Sequence, residues 1–249
     1  MFRIDLNCDL GEGFGRYALG QDEQIIPLIT SANIACGFHA SDPVIMEKTT
    51  ELAKKAHVKI GAHPGYPDLM GFGRRNMKIS RTEARDYIIY QIGALRAFCD
   101  ACGVPLVHVK PHGAFYNMAA KDYDLACAIC EGIEASDPKL KLLAPSGSCM
   151  EKAASDTGLS FIHEAFADRA YEEDGSLVSR TKEGAVLTDE KAIIARVIRM
   201  IREGKVKSVT GKDIPIKADS ICVHGDTPGA LLFAASLRKA FAENGIECG

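Results

Sequence analysis

Short apolar runs alternate with amphipathic stretches from one end of the chain to the other. Runs of strand length lie at 2–8, 32–38, 58–62, 105–110, 140–144, 159–163 and 219–224. Between them, apolar residues recur at helical spacing around 21–29, 43–56, 81–101, 123–135, 147–156, 189–203 and 228–244. Several of these helices carry end signals. Ser80 with Glu83 has the spacing of a capping box. Asp122, Thr188 and Thr227-Pro228 are N-cap signals, and Gly103, Gly158, Gly204 and Gly245 stand where helices stop. Strands alternating with helices predict βα units and a parallel sheet. No Pro/Ser-rich linker interrupts the pattern, so a single domain over 1–249 is expected, with 205–218 as a small hairpin.

The apolar runs have a second periodicity. In the first, Ile4, Leu6 and Cys8 alternate with Asp5, Asn7 and Asp9. Alternate side chains of a strand point to opposite faces, so one face is apolar and the other polar. Asn33, Gly37 and His39 repeat this against Ile34, Cys36 and Phe38, and Gly61 and His63 against Ile60 and Ala62. His108, Lys110 and His112 oppose Val107 and Val109; Cys222, His224 and Asp226 oppose Ile221 and Val223. A doubly wound sheet would bury both faces under helices, where such polar groups are costly. A (β/α) barrel has a lumen in which they converge at the carboxyl end. The fold expected is therefore an α/β barrel, seven-stranded or with an irregular eighth element. Six of the seven histidines lie in or just after these strands; His57 is the exception. Two connections, 63–79 and 164–187, are long, rich in Gly, Tyr and charge, and fall on the catalytic face of such a barrel.

Composition narrows the class. The chain has 249 residues, 47% hydrophobic, with a net charge of −3. No basic footprint for nucleic acid is present, no apolar run reaches the roughly 18 residues of a membrane span, and the N-terminus does not read as a secretory signal. Nine cysteines form no disulfide framework pattern and suit the reducing cytoplasm. Cys99–Cys102 and Cys127–Cys130 fall on predicted helices, where core packing explains them. No G-x-G-x-x-G follows a strand, and Gly211-Lys212-Asp213 fails the phosphate-loop pattern at its last position.

Five clusters carry chemistry. Asp5, Asn7, Asp9 and Glu12 gather carboxylates at one strand end, where crowding drives their pKa values apart. Asp9 with His39 and His63 is also a donor set for a divalent metal. Lys110, His112 and Tyr116 sit in VKPHGAFYN; a lysine inside a barrel polarises a carbonyl or balances an oxyanion, and a histidine carries protons. Arg74 and Arg75 follow Gly71-Phe72-Gly73 and suit a carboxylate or phosphate. Asp168 and Arg169 lie in EAFADRAY, and His224 and Asp226 precede a helix start that suits an anion.

DLNCDLGEGFG (5–15), SANIACGFHASDP (31–43), GAHPGYPDLMGFGRR (61–75), VKPHGAFYN (109–117), EAFADRAY (164–171) and VHGDTPGA (223–230) closely resemble the LamB/YcsF family along essentially the whole chain. The resemblance implies the A subunit of the bacterial ATP-dependent 5-oxoprolinase, with a barrel like that of polysaccharide deacetylases. It implies opening of 5-oxo-L-proline to L-glutamate, with ATP as co-substrate and subunits B and C as partners. Within that chemistry Asp9 or His63 is expected as base, and Lys110 as the charge on the amide oxygen. His112 or His224 is the expected second proton carrier, and Arg74 or Arg75 the grip on the substrate carboxylate. Asn7, Glu12, His39, Tyr116, Asp168, Arg169 and Asp226 are expected to line the pocket. Two alternatives stand beside this: a lone metal-dependent amide or N-acetyl hydrolase, and a non-catalytic subunit that senses 5-oxoproline. Self-association is left open.

Overall fold

The computed structural model describes residues 2–179, 181–223 and 230–249. Among them the strands are β1 (Phe2–Leu10), β2 (Ser31–Ala35), β3 (Lys59–His63), β4 (Leu106–Val109), β5 (Lys141–Pro145), β6 (Phe161–Phe166), β7 (Lys205–Lys207), β8 (Asp213–Pro215), β9 (Ser220–Val223) and β10 (Ile246–Cys248). The α-helices are α1 (Asp22–Ile25), α2 (Pro43–Lys55), α3 (Arg81–Cys102), α4 (Gly113–Ala119), α5 (Tyr123–Ser136), α6 (Cys149–Thr157), α7 (Glu190–Glu203) and α8 (Ala230–Glu243).

β1 to β6 pair in parallel in chain order, β6 pairs with β9, and β9 returns to β1. Seven parallel strands thus close into the barrel expected from the alternating faces. β7 and β8 form the antiparallel hairpin foreseen at 205–218. β10 is an addition: it pairs with Phe2–Ile4 of β1, before the stretch of β1 that pairs with β9.

The outward face of β1 buries Ile4, Leu6, Cys8 and Leu10 in the apolar core. On the helical side, Ile88, Ile92, Leu95 and Cys99 of α3 and Ile129, Cys130 and Ile133 of α5 join the same core. Each such side chain contributes about 1.5–3 kcal/mol by leaving water. Helix ends follow the expected chemistry. Ser80 and Glu83 form a reciprocal capping box, Asp122 accepts from Leu125 N, and Gly103, Gly158 and Gly204 close their helices in the left-handed conformation.

The differences have local causes. The helix expected at 21–29 is α1 followed by a 3-10 turn over Ile26–Leu28, because Pro27 has no amide hydrogen to continue an α-helix. The N-cap of α7 is Asp189 rather than Thr188, since the Asp189 carboxylate reaches both Lys191 N and Ala192 N. α4 follows His112 directly and was not expected as a helix. β6 runs to Phe166, three residues past its expected end, which brings Glu164 into the strand. No helix of the described residues is long and apolar enough to cross a membrane.

Candidate active site

The polar faces of the strands meet in the lumen in layers. Deepest is Asp5, whose carboxylate accepts from Thr30 (2.8 Å), Ser31 (2.6 Å) and Ser220 (2.5 Å). Above it, Asn7 donates to Ser220 Oγ at 2.7 Å and accepts from Asn33 at 2.8 Å. Asn33 also donates to Asp9 Oδ1 at 2.9 Å, so its own carbonyl is the acceptor for His108 Nε2 at 2.6 Å. β3 makes room for the His108 ring with Gly61: a Cβ there would lie 2.0 Å from His108 Nε2.

Next comes Lys110, just beyond β4. Its ammonium lies 2.9 Å from Asp9 Oδ1, 2.8 Å from Glu164 Oε1 and 3.2 Å from both Asn7 Oδ1 and Cys222 Sγ. Burial alone would depress this ammonium, but Asp9, Cys222 and Glu164 outweigh it and hold its pKa well above the ordinary value. Lys110 therefore stays charged and works as a fixed positive centre rather than as a base. Tyr116, on the first turn of α4, donates to Glu164 Oε2 at 2.5 Å. Burial and then the Glu164 charge raise its phenol well above the usual value, so it too keeps its proton. Burial likewise raises the Cys222 thiol beside Lys110.

At the mouth stand three histidines and Glu12. The rings of His39 and His112 stack at 3.7 Å, and His63 meets His112 edge-on. His63 Nε2 lies 3.4 Å from Asp9 Oδ2, and Glu12 Oε1 lies 3.3 Å from His39 Nε2 and 3.4 Å from His112 Nδ1. Burial first, and then the neighbouring histidines, push His39 well below its ordinary value; burial and His63 bring His112 down to about 3. Both rings are neutral near pH 7. The long loop after β3 folds over this cluster. Gly73 (φ 62°) is needed there because a Cβ would lie 2.7 Å from His39 Cβ.

Of the residues singled out from the sequence, Asn7, Asp9, Glu12, His39, His63, Lys110, His112 and Tyr116 thus share one continuous site. The metal donor set read from sequence was Asp9, His39 and His63. The structure gathers Glu12 and His112 with the two histidines, their ligand atoms within 4.8 Å of one another. Arg74 is exposed at the rim, its guanidinium 4.9 Å from the centre of the Phe72 ring. Arg75 is engaged by the buried carboxylate of Asp68, at 3.0 Å from its Nε. Arg169 is buried and donates to the carbonyls of Val178 and Ala185, which folds the loop after β6. The Asp168 carbonyl accepts from Leu187 N in that same loop. His224 and Asp226 lie outside the described residues. Asp5 was read as part of the carboxylate cluster, Asn33 and His108 as polar-face residues and Glu164 only as the first residue of EAFADRAY, none with an assigned role; Ser220 was not singled out at all.

Comparison with known proteins places this geometry. The model of the LamB/YcsF family matches residues 4–249. A Clostridium beijerinckii protein described as the A subunit of 5-oxoprolinase is 63% identical over 99% of this chain and 97% of its own. One of Alkaliphilus metalliredigens with the same description is 54% identical over 99% and 96%. The crystal structure of a lactam utilization protein from Thermus thermophilus superposes with a TM-score of 0.94 at 44% identity, covering 99% of this chain and 98% of that one. The fold, the lumenal polar layers and these full-length matches agree: the chain belongs to the LamB/YcsF family.

Proposed function

We propose that this chain is the lactam-opening subunit of an ATP-dependent 5-oxoprolinase and works with partner subunits B and C. The supporting observation in the structure is Lys110, kept charged between Asp9 and Glu164 beside two neutral histidines. A five-membered lactam is an unstrained amide and resists water. Phosphorylation of its oxygen creates a leaving group, which accounts for the need for ATP. Lys110 is suited to hold the charge that develops on the amide oxygen. Asp9 and His63 lie 3.4 Å apart and supply the proton acceptor, and His112, 2.9 Å from His63, carries the proton onward. Such transfers are worth roughly 10²–10⁴-fold each. Arg74, exposed at the rim over the Phe72 ring, is the arginine we assign to the substrate carboxylate. Asn7, Glu12, His39 and Tyr116 line the pocket in this reading. ATP is the co-substrate of the assembly, which we place in the cytoplasm.

The test is a reconstitution of this chain with subunits B and C. Glutamate formed from 5-oxo-L-proline and ATP hydrolysed are followed together, and each of the three chains is omitted in turn. Glutamate is expected only with all three, and Lys110→Met or Asp9→Asn in this chain is expected to slow its formation by roughly 10²-fold or more. Full glutamate formation without this chain, or with both variants, refutes the reading.

A further inference from the structure

A backbone carbonyl accepts hydrogen bonds and never donates them, so a ring nitrogen facing one carries the hydrogen. His63 Nδ1 lies 2.7 Å from Lys110 O, so its Nε2 presents a lone pair. His112 Nε2 lies 2.9 Å from Phe72 O, so its Nδ1 presents a lone pair. These two lone pairs face each other across 2.9 Å. Two acceptors at that distance repel unless a cation lies between them. Two further donors converge on the same point: Glu12 Oε1 is 3.4 Å from His112 Nδ1, 3.9 Å from His63 Nε2 and 3.3 Å from His39 Nε2. A single shared proton accounts for that pair alone, whereas the ligand atoms of Glu12 and His39 stand within 4.8 Å of both rings.

We propose that Glu12, His39, His63 and His112 form a binding site for a divalent transition metal ion of the zinc class. Three imidazoles and one carboxylate suit zinc and its neighbours, whereas magnesium and calcium prefer all-oxygen sets. Around an ion with bonds of about 2.0–2.2 Å, tetrahedral ligand atoms stand roughly 3.3–3.6 Å apart; the contacts here run from 2.9 to 3.9 Å, with all four ligand atoms within 4.8 Å of one another. Imidazoles whose second nitrogen is fixed on a carbonyl are characteristic of metal ligands. The protein holds one such carbonyl under strain: Phe72 has φ 53°, a region that costs a non-glycine residue of order 1–3 kcal/mol. The site adjoins the lysine pocket through Asp9, whose Oδ2 is 3.4 Å from His63 Nε2 and whose Oδ1 is 2.9 Å from Lys110. With four protein ligands a tetrahedral ion is closed, so a bound ion would anchor this wall of the lysine pocket and place its positive charge at that junction.

The metal site does not depend on the lactam reading: with an ion bound, His63 and His112 would be ligands and Asp9 would remain as the proton acceptor. Its test uses neither ATP nor partner subunits. The tag-free chain is stripped with a chelator, equilibrated with Zn²⁺ and assayed for metal by mass spectrometry. Affinity is measured against a chromophoric chelator, and Co²⁺ is added in parallel to read its visible absorption. One Zn²⁺ per chain is expected, with intense Co²⁺ bands of low coordination number. His112→Ala and Glu12→Gln are each expected to weaken binding by roughly 100-fold, at least as much as loss of a supporting residue does. Glu12→Gln is nearly isosteric and serves as the reading if His112→Ala fails to fold. Binding below about a tenth of an equivalent by the wild-type chain, or unchanged affinity in Glu12→Gln, overturns the proposal. A proton shared between His63 and His112 then explains the pair.

Discussion

A lysine buried against carboxylates cannot be removed without leaving charge behind. Lys110 is 3% exposed and the Glu164 side chain 0%. Lys110→Met keeps the volume but takes the ammonium from Glu164, so it is expected to destabilise by about 3–5 kcal/mol, measured by urea unfolding. The same variant should reduce lactam turnover by roughly 10²–10³-fold, the usual loss for one charge-stabilising group. Lys110→Met, Glu164→Gln is expected to regain a large part of the stability and none of the activity. Unchanged stability in the single variant would show that the pair is not coupled in the folded state. The two partners differed in legibility. Lys110 was readable because it alternates with Val107 and Val109 on a polar face shared with His108. Glu164 was not, because it follows His163 and the two side chains point to opposite faces. His163 meets Asp219 and Glu151 on one side, Glu164 meets Lys110 on the other, and adjacent polar residues give no alternation to choose between them.

Among elements, β3 shows what the lumen demands of a strand. Gly61 breaks an otherwise favourable run, and its reason lies on the neighbouring strand β4, where His108 fills the space of the missing side chain. Gly61→Ala is expected to lower stability by about 1–3 kcal/mol through overpacking. It should also disturb Asn33, which His108 holds at 2.6 Å and which contacts Asp9. Gly93 is the control: it lies exposed within α3 and an added Cβ meets nothing within 4 Å. Gly93→Ala is expected to stabilise by about 0.5–1 kcal/mol. Thermal unfolding of both variants checks the pair, and shifts of the same sign would refute this account of Gly61. The elements most legible in the sequence were those with a period and caps, such as α3 with its Ser80–Glu83 box. Those least legible depended on partners far away in sequence. β10 exists because the start of β1 offers it an edge, and β6 reaches Phe166 because β9 pairs with Glu164–Phe166. α4 was hidden because its seven residues lie inside a motif rich in Pro, Gly and His.

At the scale of the whole molecule, the barrel buries thiols as ordinary core side chains, and this has a consequence for stability against pH. Burial raises the thiols of Cys36, Cys99 and Cys130 from an ordinary value of 9.0 to about 12 each. Cys8 and Cys222 are raised in the same direction by the same cause. The sign follows from linkage. A thiol whose folded pKa exceeds its unfolded one keeps its proton in the folded chain while the unfolded chain has released it. Its contribution is fully present below about pH 9 and is lost as pH rises through about 12. Each such group removes about 1.4 kcal/mol per pH unit over that window, so three together remove about 4. Against a total of about 5–15 kcal/mol, the fold should fail within roughly one to four units above pH 9. The urea midpoint, measured in reductant from pH 8 to 11, is expected to hold near pH 8 and fall steeply above 9. The double variant Cys99→Ala, Cys130→Ala removes two of these five raised thiols, and it should start less stable at pH 8 because of the small cavities left in the core. Its decline should nevertheless be shallower, since fewer protons then separate the folded and unfolded chains. Equal slopes for the two proteins would mean that the alkaline limit is set elsewhere, and that the buried thiols do not resist ionisation as their place in the core requires.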